Sequence, residues 1–291
     1  MTFSIVIPAY NAAAFLETTI PAVLALDGAL EWIWVDDGST DDTAAEIERL
    51  TDGHPRVTVL RLGSNHGRAA ARNAGFELAN GDWVACLDAD ARPRAGYLAA
   101  HQAVIESSDA SVSMGHIHAA DPAPGDPYGT YLNTYARGPQ VQHGAASWKY
   151  FVTCAACIRT DVLRSVGGFD SSIGYGEDAE LACRLAQRSP DGLYVASQAI
   201  VDLYGTETLD GACQKAAQFG RSLRQIEVLH PDALEQLELA SLNRPVSQAV
   251  LRSSLLARLV ASLLGALPAT LVSTGVRYLL GHAMVRGYTD A

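Results

Sequence analysis

The chain has 291 residues, with 32 acidic side chains against 21 basic ones and a formal net charge of −11. Apolar residues make up 48% and charged residues only 18%, which excludes a disordered chain and allows one large α/β domain plus a helical appendage. The acidic balance excludes a general nucleic-acid binder. It does not exclude a nucleotide ligand whose diphosphate meets carboxylates through a divalent cation.

Met1-Thr-Phe-Ser-Ile-Val-Ile-Pro8 has no basic region ahead of its short apolar run. It reads as a first strand and not a signal peptide, so a cytoplasmic protein is expected. Apolar runs at 3–7, 32–35, 57–62 and 83–87 alternate with helical stretches at 12–26, 42–50 and 68–78. Short buried runs alternating with helices predict a parallel sheet covered on both faces. Ligands of such sheets sit beyond the carboxyl ends of the strands. The informative residues are therefore Ala9-Tyr-Asn11, Asp36-Asp-Gly-Ser39 and Asp88-Ala-Asp90. Residues 119–147 read as a long loop. A strand is expected over 149–158, helices from Asp161 and over 177–187, a short strand at 193–196, and helix from about Glu207 onward.

The acids carry the chemistry. Ser39 to Asp42 suit a helix N-cap, but capping does not account for Asp36 and Asp37 at a strand end, where a carboxylate can accept bonds from a base or ribose. In an extended segment the side chains of Asp88 and Asp90 lie on one side. Two like charges so close repel, and a cation relieves the repulsion. Hard oxygen ligands select Mg²⁺ or Mn²⁺, with water and phosphate completing the shell. Gly67-Arg68 opens a helix in a way that suits a diphosphate, whereas the dinucleotide and P-loop fingerprints are both missing. Gly176-Glu-Asp178 places acids at another helix start, where a carboxylate can act as general base toward an acceptor hydroxyl. The five cysteines, including the lone Cys154-x-x-Cys157, form neither a disulfide framework nor a zinc site. That pair reads as buried apolar residues of a strand.

Taken in order, Ser4-Ile-Val-Ile-Pro-Ala-Tyr-Asn11, Val35-Asp-Asp-Gly-Ser-Thr-Asp41, residues 65–75, Leu87-Asp-Ala-Asp90 and Val166-Gly-Gly-Phe-Asp170 with Gly176-Glu-Asp178 resemble the inverting glycosyltransferases of family 2. The resemblance covers about residues 3–205. It implies the GT-A fold: a Rossmann-like mixed α/β sheet flanked by helices, here with a helical C-terminal extension. Residues 1–205 would form the catalytic domain, divided into a donor half (1–92) and an acceptor half (93–205), with 206–291 as the helical region. The implied donor is a nucleotide-diphosphate sugar, UDP- or GDP-linked, held by Pro8, Ala9, Tyr10, Asn11, Asp37, Arg68 and Asp88. Asp90 and Asp88 would ligate Mg²⁺ or Mn²⁺. Asp178 would deprotonate a hydroxyl on a polysaccharide, a lipid-linked glycan or a small molecule, and Glu177 would orient the site. Many relatives carry a metal-binding histidine some 25 residues past the acidic pair. This chain has none there, which leaves Asp202 or Glu207 as candidates for a third ligand.

Two rival readings keep the same sheet. A sugar-nucleotide-forming nucleotidyltransferase would carry a glycine-rich basic loop after strand one, where Pro8-Ala-Tyr-Asn-Ala12 stands. A non-catalytic nucleotide-sugar binding module would be marked by loss of Asp90 or Asp178, and both are present. Residues 246–287 are strongly apolar, yet the uncharged stretch 259–276 is short for a bilayer span and is interrupted by Pro268. Two helices are expected there, which either pack on the catalytic domain, form a homodimer contact or lie peripherally on a membrane. The small number of basic residues in that stretch counts against strong attraction to anionic lipid.

Overall fold

The computed structural model describes residues 1–120, 126–132, 143–204, 208–237, 239, 249–264 and 269–291. The four expected apolar runs are parallel strands: β1 (Phe3–Ala9), β2 (Ala29–Asp36), β3 (Val57–Arg61) and β4 (Trp83–Cys86). Between them run α1 (Ala13–Leu24), α2 (Thr43–Thr51) and α3 (Arg68–Leu78). β1 is central because it is buried along nearly its whole length, on both faces. It pairs with β2 on one side and β4 on the other, both parallel. The chain thus runs outward through β2 to β3 and then returns to the opposite flank of β1. That reversal opens a crevice between the carboxyl ends of β1 and β4, the place where α/β sheets bind ligands.

Residues 91–119, which the sequence pattern did not mark, supply β5 (Ala91–Pro93), α4 (Tyr97–Glu106) and β6 (Val112–Ala119). After α5 (Pro127–Tyr131) come β7 (Gly144–Ala145), β8 (Ala156–Arg159), α6 (Thr160–Ser165), α7 (Glu177–Arg188) and β9 (Leu193–Leu203). Among the described residues the strands form one mixed sheet of order β3-β2-β1-β4-β8-β6-β9-β5, with β7 paired to β9. The expected strand over 149–158 is shorter. Two 3₁₀ turns, Trp148–Tyr150 and Thr153–Ala155, precede β8, whose four residues match the four of its partner β4. Conversely, β9 runs seven residues beyond its expected end because β6 and β5 pair with its second half, while β7 pairs within the expected part. Cys154 and Cys157 are buried and free, Cys154 in the second turn and Cys157 within β8. Burial raises the Cys157 thiol well above its ordinary pKa, so it stays protonated and inert.

The C-terminal part is helical as expected: α8 (Leu209–Leu229), α9 (Ala233–Gln236), α10 (Ser254–Leu263) and α11 (Ala269–Thr289). α11 packs along α8, and small residues set the spacing. A Cβ on Gly220 would strike the Met284 carbonyl oxygen, and one on Gly287 the carbonyl oxygen of Ala217. A second apolar cluster, Ala257, Leu264, Val276 and Leu279, ties α10 and α11 to Tyr128 and Tyr131 of α5. No described helix is long and apolar enough to cross a membrane.

Because the helix backbones touch at Gly220, Gly220→Ala will destabilise despite alanine's better helix propensity, worth about 1 kcal/mol. We expect a net loss of about 2 kcal/mol, or roughly 4–8 °C in melting temperature, measurable by scanning calorimetry. An unchanged or higher midpoint would show that the two helices are not in backbone contact.

Candidate active site

Two helix starts and one strand end converge on a cleft of about 550 Å³. Arg68 and Arg72 come from α3, Asp88 and Asp90 from the chain after β4, and Glu177 and Asp178 from α7. The acids meet here because α3 is anchored at three successive points. A Cβ on Gly75 would strike the Val6 side chain, so helix and β1 sit in direct contact. Asn73 brackets Phe169, donating from Nδ2 to its carbonyl and accepting its N–H at 2.8 Å each. Arg72, only 4% exposed, donates to Glu177 Oε1 at 2.7 Å and to Asp88 Oδ1 at 2.8 Å. Burial alone would lower its pKa, but Asp88 and Glu177 outweigh that and raise it, so Arg72 keeps its charge.

The loops after β1 and β2 are clasped together. The Asn11 side chain accepts the Thr40 N–H, while Ser39 and Thr43 accept the N–H groups of Asn11 and Ala12. Ser39 thus holds the loop after β1, while Asp41 accepts the N–H of Thr43 at the start of α2 at 3.0 Å and that of Ala13 at 3.3 Å. The capping expected of this stretch falls to Asp41 and not to Asp42, which makes no side-chain cap bond. Tyr10 is exposed, while Pro8 and Ala9 lie at the end of β1. Asp37 is 3% exposed, and its two oxygens accept the N–H groups of His66 and Gly67 at 2.8 and 2.9 Å. Neither Asp37 nor Pro8 to Asn11 lines the cleft. Asp37 acts on it through the loop that positions Arg68, whose guanidinium lies 5.2 Å from the centre of the Tyr175 ring.

Asp88 and Asp90 both line the cleft, though not on an extended segment. The Ala91 N–H closes a turn onto the Asp88 carbonyl at 3.0 Å. Burial, and next the charge of Asp88, push the Asp90 carboxyl up to about 6. Such a crowded oxygen pair is the donor set a hard divalent cation suits, with water and phosphate completing its shell. The described residues contain no group of three or more His, Cys, Asp or Glu that could hold a metal, so the fit is for two carboxylates. Asp202 is committed elsewhere: Arg94 donates to both of its oxygens at 2.8 and 2.7 Å, and His118 Nδ1 lies 3.0 Å away. Glu207 lies outside the described residues.

Asp178 faces the cleft from the first turn of α7, where helix N–H groups favour a negative charge. Gly176 starts that helix at φ +83, and a Cβ there would meet Phe219 of α8 at 2.6 Å. Glu177 is buried beneath, its pKa raised by burial and then by Asp178, with the Arg72 charge opposing. Sequence reasoning assigned no role to Arg72, Tyr128, Trp148, Lys215, Phe219 or Leu280, all of which line the cleft. Only Arg72 carried a usable signal, lying one helical turn beyond Arg68 and so on the same face.

A family model described as "Glycosyl transferase family 2" matches residues 4–167. The chain belongs to that family. This family 2 chain is 29% identical over 237 residues to the pre-mycofactocin glycosyltransferase of Mycobacterium tuberculosis, a match covering 79% of the chain and 48% of the relative. The succinoglycan biosynthesis protein ExoU of Rhizobium meliloti is 32% identical over 132 residues, covering 41% and 39%. The family 2 chain thus spans half or less of the length of these curated relatives. In fold it is similar to the mannosyltransferase PcManGT of Pyrobaculum calidifontis, solved with GDP-Man and Mn²⁺. The TM-score is 0.66 at 20% identity, covering 99% of this chain and 88% of that one. It is also similar to S. aureus TarS 1–349 in complex with UDP-GlcNAc, with a TM-score of 0.62 at 15% identity, covering 100% and 92%. These likenesses bear out the GT-A architecture.

Two predictions follow from the ion network. Arg72→Met leaves the buried Glu177 without its close partner, with only Arg68 at 3.9 Å, and frees the half-buried Asp88, which costs about 3–5 kcal/mol. The midpoint should fall by roughly 10 °C, and a fall under about 2 °C would show that Arg72 does not hold the site. Asp90→Asn should instead stabilise the metal-free protein, and this gain depends on pH. The folded carboxyl titrates at about 6 against an ordinary 3.8, so at pH 8 the folded state bears an unfavourable charge, costing on the order of 2–3 kcal/mol. As pH falls below about 6 the folded protein takes up the proton before the unfolded chain does, and the penalty fades until both are protonated below about 3.8. The asparagine variant should therefore melt several degrees higher at pH 8, keep roughly half of that lead at pH 5, and draw level only below the unfolded value of 3.8.

Proposed function

We propose that the chain is an inverting glycosyltransferase that moves a sugar from a UDP- or GDP-linked donor to an acceptor hydroxyl. The observation that carries this reading is the convergence of the Asp88–Asp90 pair and Asp178 on one cleft. The base and ribose would lie against the ends of β1 and β2, at Pro8 to Asn11, with Asp37 holding the adjoining loop. Arg68 would face the diphosphate, and Asp88 with Asp90 would hold Mg²⁺ or Mn²⁺. That cation, when bound, stabilises the charge on the departing diphosphate.

The remaining chemistry belongs to the side chains. Asp178 accepts the acceptor's proton as its oxygen attacks the anomeric carbon from the face opposite the diphosphate. The carbon–oxygen bond to the diphosphate breaks as the new bond forms, which inverts the centre without an enzyme nucleophile. Glu177 does not face the reaction as a base, because Arg72 engages it from below. It fixes the helix turn that aims Asp178. Tyr128, Trp148, Tyr175 and Phe219 give the cleft aromatic walls against which sugar rings can pack. UDP-GlcNAc and GDP-Man, the donors named for the structural relatives, are the first to test.

The test pairs binding with turnover. In the presence of Mn²⁺, one nucleotide sugar from a panel should raise the melting temperature. Asp178→Asn should keep that shift but lose transfer by about 10²–10⁴-fold. Transfer at near the parent rate would place the base elsewhere, and no shift with any nucleotide sugar would remove the donor assignment.

A further inference from the structure

We infer that α10 (Ser254–Leu263), with its flanking arginines, seats the protein on the surface of an anionic lipid bilayer. On α10 Leu255 is 81% exposed and Leu259 54% exposed, with Leu256 and Leu263 also open to solvent. Leu255, Leu259 and Leu263 recur every four residues and form one stripe, while Ala257 and Leu264 turn inward to the second apolar cluster. A stripe of exposed leucines marks a contact surface.

Charge selects the occupant. All 32 acidic residues of the chain lie outside 239–289, a segment that holds five arginines. Arg252 and Arg258 are exposed and flank the leucines. Few basic residues lie in this region, but the contrast with the rest of the chain is what counts: a protein of net charge −11 is repelled by an anionic surface least where it carries no acids. A leucine stripe bordered by arginines is the pattern of a helix that lies in the interface plane, and each basic residue near such a surface adds attraction.

The opposite, inward face of α10 adjoins the cleft. The cluster beneath α10 packs against Tyr128 and Tyr131, and Tyr128, Tyr131 and Leu280 line the cleft itself. Seating α10 on lipid brings the acceptor side of the cleft to the bilayer surface. If the transferase reading holds, the acceptor class follows: a hydroxyl borne by a lipid-anchored molecule. The seating does not depend on that reading.

The test is vesicle flotation of the whole chain with phosphatidylcholine vesicles, with or without phosphatidylglycerol. Wild type should float with the anionic vesicles, by at least about tenfold over the neutral ones, and the bound fraction should drop as salt is raised. Leu255→Glu/Leu259→Glu should lose flotation while keeping the melting-temperature shift given by nucleotide sugar, so a failed donor site and a failed membrane site give different results. Arg252→Glu/Arg258→Glu should abolish the preference for anionic vesicles. Flotation of the leucine variant at the parent level overturns the inference, as does failure of the wild type to float. A concentration-dependent dimer in analytical ultracentrifugation that the leucine variant dissolves would assign the face to a second copy of this chain and also overturn it.

Discussion

The site depends on a single buried guanidinium. Arg72 stands between Asp88, from the chain after β4, and Glu177, from the first turn of α7. Without that cation the buried Glu177 would keep only the more distant Arg68, 3.9 Å away, and Asp88 would lose its partner, at a cost of several kcal/mol. With it, the segment proposed to hold the metal and the helix proposed to carry the base are fixed relative to one another. Such preorganisation is where much of a catalyst's power resides. Asn73 and Gly75, the next anchors along α3, extend the same logic. Three neighbouring residues tie one helix to the Phe169 loop, to α7 and to the central strand.

Much of this was legible in the sequence, but unevenly. α3 matches its expected bounds residue for residue, and the four parallel strands fall within a few residues of theirs, since buried strands and helices differ sharply in period. The acids at the strand ends were found because a polar residue after a fully apolar run has few structural reasons to be there. What could not be read was partnership. Asp37 looked free to meet a ligand, yet its oxygens are taken up by His66 and Gly67, and those backbone groups have no sequence signature. Asp202, a candidate for the metal, is held by Arg94, a residue 108 positions away. The mixed half of the sheet escaped for a related reason: the length of β9 is set by its partners β6 and β5, not by its own composition.

The C-terminal helices illustrate the same limit. Their apolar character was plain, but not which of them would be covered. α11 finds cover because Gly220 and Gly287 allow its backbone to meet that of α8. α10 lacks such a fit and keeps its leucines in water. Composition sets how much apolar surface must be hidden, while shape decides where.

The walls of the cleft come from two separate stretches of the chain. Arg68, Arg72, Asp88 and Asp90 belong to the first ninety residues, whereas Lys215, Phe219 and Leu280 line it from α8 and α11. Phe219 rests directly on the glycine that launches the α7 helix. The cleft is therefore a single pocket only while α8 and α11 stay packed together, and loosening their glycine contacts would open one wall while Asp88 and Asp90 keep their places.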